Sequence, residues 1–375
     1  MRFVLTPAYF NIQKMTATLT PLPISADVTD FFANSESHIF LTGDACEVLK
    51  TIPASTINCV ITSPPYWQLR QYDDVDKAKE IGNEPSHIQY VQRLSLVFKE
   101  VKRVLTDDGS LWLNLGDKYH NKELMGIPWR VALSLMDNGW ILRNDVIWDQ
   151  MKGTQSAKDR LRDVYEHIFH FVKRKKYYYA HEEIRIKPVR LPKKYNGEWV
   201  SATGVSGKKY RQQITESTEL SAEEKFKAME ALDATLLEME KGEVVDFRMT
   251  IRGTQRTYHS DNHSVSGRAK ELADKGYFIL KMGVNGHIPS DIWRIVPEDT
   301  WRKDAHYAVF PEELLINPIN ATCPPGGIVL DPFSGTGSTV VTARKMGRRG
   351  IGIDLSEKYT QTAHERMEDL CNSLF

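Results

Sequence analysis

The chain has 375 residues, 41% of them hydrophobic, which is enough to bury a full core and long enough for two domains. Its 49 Lys and Arg balance its 49 Asp and Glu, so formal net charge is zero and only locally segregated charge could meet a nucleic acid. No apolar run approaches the length of a membrane span. The opening Met1-Arg2-Phe3-Val4-Leu5-Thr6-Pro7 is too short and too soon broken for a signal peptide. Four scattered cysteines, Cys46, Cys59, Cys323 and Cys371, lack zinc spacing. They imply no metal site and fit small apolar residues in a reduced, cytoplasmic protein.

Residues 1–37 show no strong period and carry Pro21 and Pro23, so they read as an arm or packing extension. His38 to Asp44 looks like a strand ending at a turn, and Ala45 to Leu49 begin a helix with Asp44 in the N-cap position. Ile57 to Ile61 is a short apolar run of the kind that forms a buried strand. Thr62-Ser63-Pro64-Pro65-Tyr66-Trp67 ends it, because neither proline can donate to a ladder and each fixes its own φ. A hydroxyl, two carbonyls and an aromatic ring are thereby left on a stiff loop at a strand's C-terminal end. Ligands of open α/β sheets bind at that end. Gln68 to Glu84 is polar and irregular, a loop suited to covering a site. From Tyr90 to Leu105, Val91, Leu94, Val97, Phe98, Val101 and Leu105 fall on one helical face. Asp107-Asp108-Gly109 turns the chain into a strand over Ser110 to Asp117, and Pro128 to Asn138 is helical. Trp140 to Trp148 and Tyr165 to Val172 are two further strands. This alternation predicts an α/β fold with a mostly parallel sheet covered on both faces, the two late strands forming an antiparallel edge.

Composition shifts after residue 172. Lys173-Arg174-Lys175-Lys176-Tyr177-Tyr178-Tyr179 opens a basic, aromatic stretch that runs on through Lys208, Lys209 and Arg211. Such a run is either a solvated face or a phosphate-binding surface. An acidic helix follows, with a Ser221/Glu224 capping box, an apolar stripe of Phe226, Met229, Leu232, Leu236 and Met239, and a stop at Gly242. Arg248, Arg252, Arg256, Arg268 and Lys270 restore basic character. Beyond Ile288 the α/β pattern resumes: His306 to Pro311, a helix over Glu312 to Asn320, a strand over Gly350 to Asp354 and a helix over Glu357 to Leu370. Between them lies Gly327-Ile328-Val329-Leu330-Asp331-Pro332-Phe333-Ser334-Gly335-Thr336-Gly337. Its glycines let backbone approach a ligand closely. A nicotinamide loop would want the same, but the Gly-x-Gly-x-x-Gly spacing is incomplete and Asp331 would face a diphosphate. A sulfonium with an α-amino group suits that carboxylate better. Asp354, ending the next strand, is placed to accept from ribose hydroxyls, with Ser356 as the cap of the last helix.

Ser63-Pro64-Pro65-Tyr66 and Asp331-Pro332-Phe333-Ser334-Gly335-Thr336-Gly337 together resemble the amino-group DNA methyltransferases. The first resembles the catalytic motif of the N4-cytosine type, the second its S-adenosylmethionine loop. Their order along the chain resembles the permuted β group of restriction–modification systems. The resemblance covers about 38–180 and 287–370. It implies a circularly permuted, Rossmann-like methyltransferase sheet divided into an arm (1–37), a first catalytic part (38–180), an inserted target-recognition domain (181–286) and a second catalytic part (287–375). Asp44 and Ala45 are then expected beside the cofactor's adenine, with His306, Asp331, Phe333, Ser334, Gly335, Thr336, Gly337 and Asp354 completing its site. Asp44 as a plain N-cap and His306 as a structural histidine remain alternatives.

Ser63 and Pro64 are expected to accept from the target amine, and Tyr66 to stack on a flipped base, with Trp67 helping or packing. Arg252, Gln255, Arg256, Asn262 and Arg268 are candidate base readers, and Lys208 and Lys209 candidate phosphate contacts. Double-stranded DNA is the implied partner, with a paired restriction endonuclease, for a monomer or homodimer in a bacterial or archaeal cytoplasm. A cytosine-C5 reaction needs a nucleophilic cysteine, usually in a Pro-Cys pair, and the chain has no such pair. An adenine-N6 enzyme, a silent DNA-binding protein and an RNA methyltransferase remain as rivals.

Overall fold

A computed structural model describes residues 26–69, 80–151, 157–254, 267–297 and 311–373 of the chain. Helix α1 (Ala26–Ala33) comes first; it is followed by β1 (His38–Thr42), α2 (Ala45–Thr51), β2 (Ile57–Thr62), α3 (His87–Val104) and β3 (Leu105–Leu115). A small hairpin, β4 (Tyr119–His120) and β5 (Glu123–Leu124), precedes α4 (Ile127–Asp137), β6 (Ile141–Asp149) and β7 (Tyr165–Val172). The next elements are β8 (Lys193–Tyr195), β9 (Glu198–Val200), α5 (Gly207–Glu216), α6 (Ala222–Glu240), β10 (Val244–Ile251), α7 (Arg268–Lys275) and β11 (Tyr277–Gly283). The chain closes with β12 (Ile292–Arg294), α8 (Glu312–Thr322), β13 (Ile328–Asp331), α9 (Ser338–Lys345), β14 (Arg349–Asp354) and α10 (Glu357–Ser373). Contacts divide it into two units, 1–178 with 292–375, and 179–291.

The first unit holds an eight-stranded sheet in the order β1-β14-β13-β2-β3-β7-β6-β12. All neighbours are parallel except at β7, which runs antiparallel to both β3 and β6. The sequence pattern put the antiparallel strand at the edge. It lies instead inside the sheet, because β6 pairs outside it and the three-residue β12 extends the sheet once more.

Period-two alternation decides which helices cover each face. In β2, Val60 joins one core with residues of α1, α2, α3 and α4. Its neighbours Cys59 and Ile61 join the opposite core with Leu314, Leu315 and Ile319 of α8. Helix α3 begins at Ser86, whose hydroxyl accepts from the Gln89 N–H, and buries Tyr90, Leu94, Val97, Phe98, Val101 and Val104. The described end of the arm is helical, and Val28 and Phe31 of α1 are buried in the first core, as the packing alternative for this stretch has it. One expectation needs correction here. Asp107-Asp108-Gly109 is not a turn between elements but an irregularity inside β3, where Ile57↔Leu105 gives way to Cys59↔Ser110. Gly109 is needed there: a Cβ would stand 2.8 Å from the Asn58 carbonyl oxygen.

The second unit has its own core. Tyr210 and Ile214 of α5 and Leu232 and Met239 of α6 pack with Val244, Phe247, Met249 and Ile251 of β10, which pairs antiparallel with β11. The capping box forms as the sequence suggests, with Glu224 N–H donating to Ser221 and Ser221 N–H to Glu224. Phe226 does not belong to the buried stripe. It is 71% exposed, and Ala228 and Thr235 are buried in that helix.

Gly352 in β14 lies between Phe40 of β1 and Asp331 of β13. A Cβ there would stand 2.7 Å from the Phe40 ring and 2.9 Å from the Ser334 hydroxyl. Gly352→Ala is therefore expected to cost about 1–3 kcal/mol through overpacking. The check is a lower urea midpoint at unchanged m-value.

Candidate active site

Strands β1, β14, β13 and β2 are adjacent and parallel, so their C-terminal ends share one edge. That edge carries Asp44 after β1, Asp354 at the end of β14, Asp331 at the end of β13 and Ser63 after β2. Asp331 is buried and heavily engaged. Its Oδ1 accepts from Thr62 Oγ1 at 2.6 Å and from Phe333 N–H at 3.0 Å, and its Oδ2 from Thr339 Oγ1 at 2.7 Å. Burial outweighs these donors and, with the nearby Asp354 charge adding to it, raises the carboxyl to about 6. Asp354 accepts from Gly335 N–H at 2.8 Å and Ser356 N–H at 2.9 Å, and burial raises it too. Ser356 caps α10 through Tyr359 N–H at 3.4 Å. Asp44 is half-buried and does cap α2, accepting from Glu47 N–H at 3.1 Å through one oxygen. The Gly43 N–H donates to the Asp354 carbonyl, which ties those two strand ends together.

Between β13 and α9 the loop turns on two left-handed glycines. Gly337 (φ 80°) has no room for a side chain, since a Cβ would meet Ala363 and Phe40 below 3.0 Å. Gly335 (φ 51°) faces open space, with no atom within 4 Å of the same position. Arg366 secures the far side of the loop by donating to the Thr336 carbonyl and hydroxyl and to Ser338. Ala45 and Ser334 are buried, whereas Phe333 is half-exposed and packs on the first core. An open glycine cradle flanked by Asp44, Asp331 and Asp354 fits a ligand bearing cationic and hydroxyl groups. His306 lies outside the described residues.

The motif loop is held from behind. Ser63 Oγ donates to Tyr66 Oη at 3.2 Å, and Tyr66 Oη donates to Glu166 Oε2 at 2.5 Å. Asn114 Nδ2 lies 2.8 Å from Tyr66 Oη and 2.7 Å from Glu166 Oε2, and Gln150 Nε2 donates to Glu166 Oε1 at 2.9 Å. Burial and the Glu166 charge hold the Tyr66 phenol well above its usual value. The Tyr66 ring passes over Gly116 at the end of β3, where a Cβ would stand 2.7 Å from it. Tyr90 Oη donates to the Pro65 carbonyl at 2.9 Å, while no donor reaches the Pro64 carbonyl among the described residues. Trp67 packs: it is buried, with its N–H on the Glu84 carbonyl at 2.9 Å. Sequence reasoning missed Asn114, Gln150 and Glu166. The available signal was a polar residue at an inward position of an otherwise apolar strand, as Asn114 is in Leu111-Trp112-Leu113-Asn114-Leu115.

In the second unit Lys208, Lys209 and Arg268 are exposed. Among the described residues no ion pair engages them. Arg252 is committed elsewhere. Its guanidinium pairs with both oxygens of Glu224 at 2.7 Å and donates to the Glu219 and Ala273 carbonyls, so the base-reading role expected of it gives way to a structural one. Arg211 pairs with Asp233 and Lys281 with Glu238 in the same way. The acidic helix thus neutralises part of the basic stretch within its own unit. Gln255, Arg256 and Asn262 lie outside the described residues. Among the described residues no group of His, Cys, Asp and Glu is placed to hold a metal, and no helix is long and apolar enough to cross a membrane.

A sequence profile described as DNA methylase matches residues 57–365. The chain belongs to the DNA methylase family. The type II methyltransferase M.SfiI of Streptomyces fimbriatus is 30% identical over 84% of this chain and 88% of its own. M.XycI of Xanthomonas campestris pv. cyanopsidis, another type II methyltransferase, is 28% identical over 87% and 86%. Among solved structures, PvuII DNA methyltransferase (cytosine-N4-specific) shares the fold with a TM-score of 0.54 at 17% identity, over 90% of this chain and 91% of that one. The matched span of this DNA methylase includes both strand-end motifs and the whole of the second unit.

Burial makes the folded DNA methylase favour protonated Asp331. The stability this carboxyl contributes is complete below its ordinary value of 3.8 and is lost as pH rises through about 6. Asp331→Asn, which keeps an acceptor and adds a donor, is therefore expected to be more stable than the parent by about 1–3 kcal/mol at neutral pH. The gap closes towards pH 4. Denaturant unfolding of both proteins across that range checks it, and a gap that widens on acidification would contradict it.

Proposed function

We propose that this DNA methylase moves a methyl group from S-adenosylmethionine to the exocyclic N4 amine of a flipped-out cytosine in double-stranded DNA. It does so as the modification enzyme of a restriction–modification system with a paired endonuclease. The observation that carries the reading is the pairing, on one sheet edge, of an open glycine cradle ringed by carboxylates with a stiff Ser63-Pro64-Pro65-Tyr66 loop. S-adenosylmethionine, bound there, supplies an electrophilic methyl on a sulfonium. Gly335 lets its carboxyl-bearing end approach backbone, Asp331 and Asp354 offer negative charge to its cationic and hydroxyl groups, and Asp44 keeps one oxygen for its adenine amine. The similarity to M.SfiI and M.XycI, both type II methyltransferases, supports the restriction–modification role.

A cytosine amine is a weak nucleophile because its lone pair is delocalised into the ring. Two acceptors aimed at its hydrogens favour the pyramidal nitrogen that can attack. The Ser63 hydroxyl, whose own hydrogen is given to Tyr66, and the Pro64 carbonyl, which no donor reaches among the described residues, fill that role. Preorganised acceptors where positive charge develops stabilise the transition state, and alignment with the methyl supplies much of the remaining rate. The amine is unreachable inside a duplex, so the base leaves the stack. Stacking on it falls to the half-buried Tyr66 ring, whose hydroxyl is anchored inward. The second unit serves as the target-recognition domain, with Lys208, Lys209 and Arg268 as its candidate DNA contacts.

Mass spectrometry of nucleosides from DNA of a modification-free host expressing the protein tests the product. N4-methylcytosine is expected; N6-methyladenine would keep the fold and cofactor site but move the reaction to adenine. Ser63→Ala is expected to lower the transfer rate by roughly 10²–10³-fold, on the scale of one lost transition-state hydrogen bond. Cofactor affinity should stay within a few-fold, and a large loss of it would rule Ser63 out as the acceptor of the amine. DNA affinity should fall steeply between low and moderate salt, and Lys208→Ala with Lys209→Ala should flatten that slope by about 2.

A further inference from the structure

The three donors on Glu166 fix a direction along the chain of hydroxyls that begins at Ser63. An ionised carboxylate only accepts. With Glu166 as acceptor, Tyr66 donates to it, which leaves the phenol oxygen to accept from Ser63. The Ser63 hydrogen is thereby directed inward; Asn114 Nδ2 donates to the same oxygen at 3.4 Å, which leaves it one further lone pair with which to accept. Asn114 and Gln150 hold the carboxylate in place, and the Asn114 side-chain oxygen Oδ1 is buried without a partner among the described residues. Burying such a group costs stability. Glu166 lies on β7 opposite Trp148, in a stretch of sheet that also holds Asn114 on β3.

We propose that Glu166 is the terminal acceptor of a proton relay running from Ser63 through Tyr66, and that it removes the proton released when the target amine is methylated. The inference rests on the methyl-transfer reading under Proposed function. When the amine nitrogen attacks, its lone pair forms the new N–C bond, and the carbon–sulfur bond of the donor breaks with its electron pair staying on sulfur. The nitrogen then carries a positive charge and one proton too many. That proton passes to Ser63 Oγ as the Ser63 hydroxyl proton moves to Tyr66 Oη and the Tyr66 proton moves to Glu166 Oε2. The product amine and the Glu166 carboxyl both end neutral. Once product leaves, the chain runs in reverse and returns the proton to water at Ser63.

Glu166 is a positioning and proton-accepting residue in this scheme and touches no substrate. The groups facing it are Tyr66 from the loop after β2, Asn114 on β3, Gln150 after β6 and Asp163 on the segment entering β7. Burial raises the Glu166 carboxyl above its ordinary value, the donors oppose this, and the Asp163 charge adds to it. A carboxyl so raised is a stronger base than an ordinary one, which suits a group that must take a proton.

The test is single-turnover methyl transfer by the full-length protein to DNA carrying its site, at saturating S-adenosylmethionine, across pH. Saturation removes any contribution of Asp331 through cofactor binding. The wild-type rate is expected to fall on the acid side as Glu166 protonates. Glu166→Gln should lose roughly 100-fold at the wild-type optimum and lose the acid limb, with cofactor affinity within a few-fold. Tyr66→Phe keeps the ring's packing while cutting the chain, and it should give the same flattened profile. The double variant should be no slower than the slower single, because both cut one path. An acid limb of wild-type shape in either variant, or losses that multiply in the double, would overturn the relay while leaving the methyl-transfer reading intact. A wild-type protein that methylates no DNA overturns that reading, and the relay with it.

Discussion

The buried Asp331 carboxylate is the tie on which the rest of the site depends. It joins Thr62 at the end of the motif strand to Thr339 in the first turn of α9, across 269 residues of sequence in the first case. Without it, β2 and β13 would still pair through Cys59 and Val60, but the loops that leave them would have no common anchor. The same carboxylate accepts from Phe333 N–H and so sets the first residue of the glycine loop. One side chain therefore fixes both where the motif loop starts and where the glycine loop turns. That arrangement stands on its own hydrogen bonds, before any ligand arrives.

Much of the fold was legible because its parts are locally determined. Tyr165–Val172 and Ala222–Glu240 carry their period and their ends within themselves, and Ser221 with Glu224 announces a helix start without reference to the rest of the chain. What could not be read was where a strand goes in the sheet. The antiparallel β7 looks the same in sequence whether it is an edge or lies inside, and only the pairing of β6 and of three residues at Ile292–Arg294 decides it. The helix at the end of the arm escaped for a related reason. Val28 and Phe31 are too few to show a period, yet they are buried because α1 packs on a core made by distant residues.

The site divides along the same line. Ser63, Tyr66, Asp331 and the glycines stood out because prolines and glycines punctuate backbone in ways that sequence records. Glu166 and Asn114 did not, because their significance lies in reaching one another from β7 and β3. Arg252 misled in the opposite direction. An arginine in a basic stretch reads as a DNA contact, but whether its charge is free depends on Glu224, which is 28 residues away in sequence and 2.7 Å away in space. The basic and acidic residues of this unit are therefore not kept apart on separate faces: Arg211, Arg252 and Lys281 pair with Asp233, Glu224 and Glu238.

The motif loop is thus placed between a buried carboxylate and a half-buried one. Asp331 holds it from the β13 side, and Glu166 reaches it from β7 over the bare Cα of Gly116. In both cases burial raises the acid, so the ionised form is disfavoured by the surrounding protein. A sheet selected for stability alone would place apolar side chains at both positions, as its neighbours Leu330 and Ile168 do. The two acids differ in what they face. Among the described residues the donors on Asp331 belong to the fold, and they make it an anchor as well as a charge beside the glycine cradle. Glu166 meets a phenol that leads to Ser63, so a change in its protonation is felt at that hydroxyl. That difference in connectivity is what the proposed relay uses: of the two raised acids, Glu166 is the one hydrogen-bonded to the chain of hydroxyls that ends at Ser63.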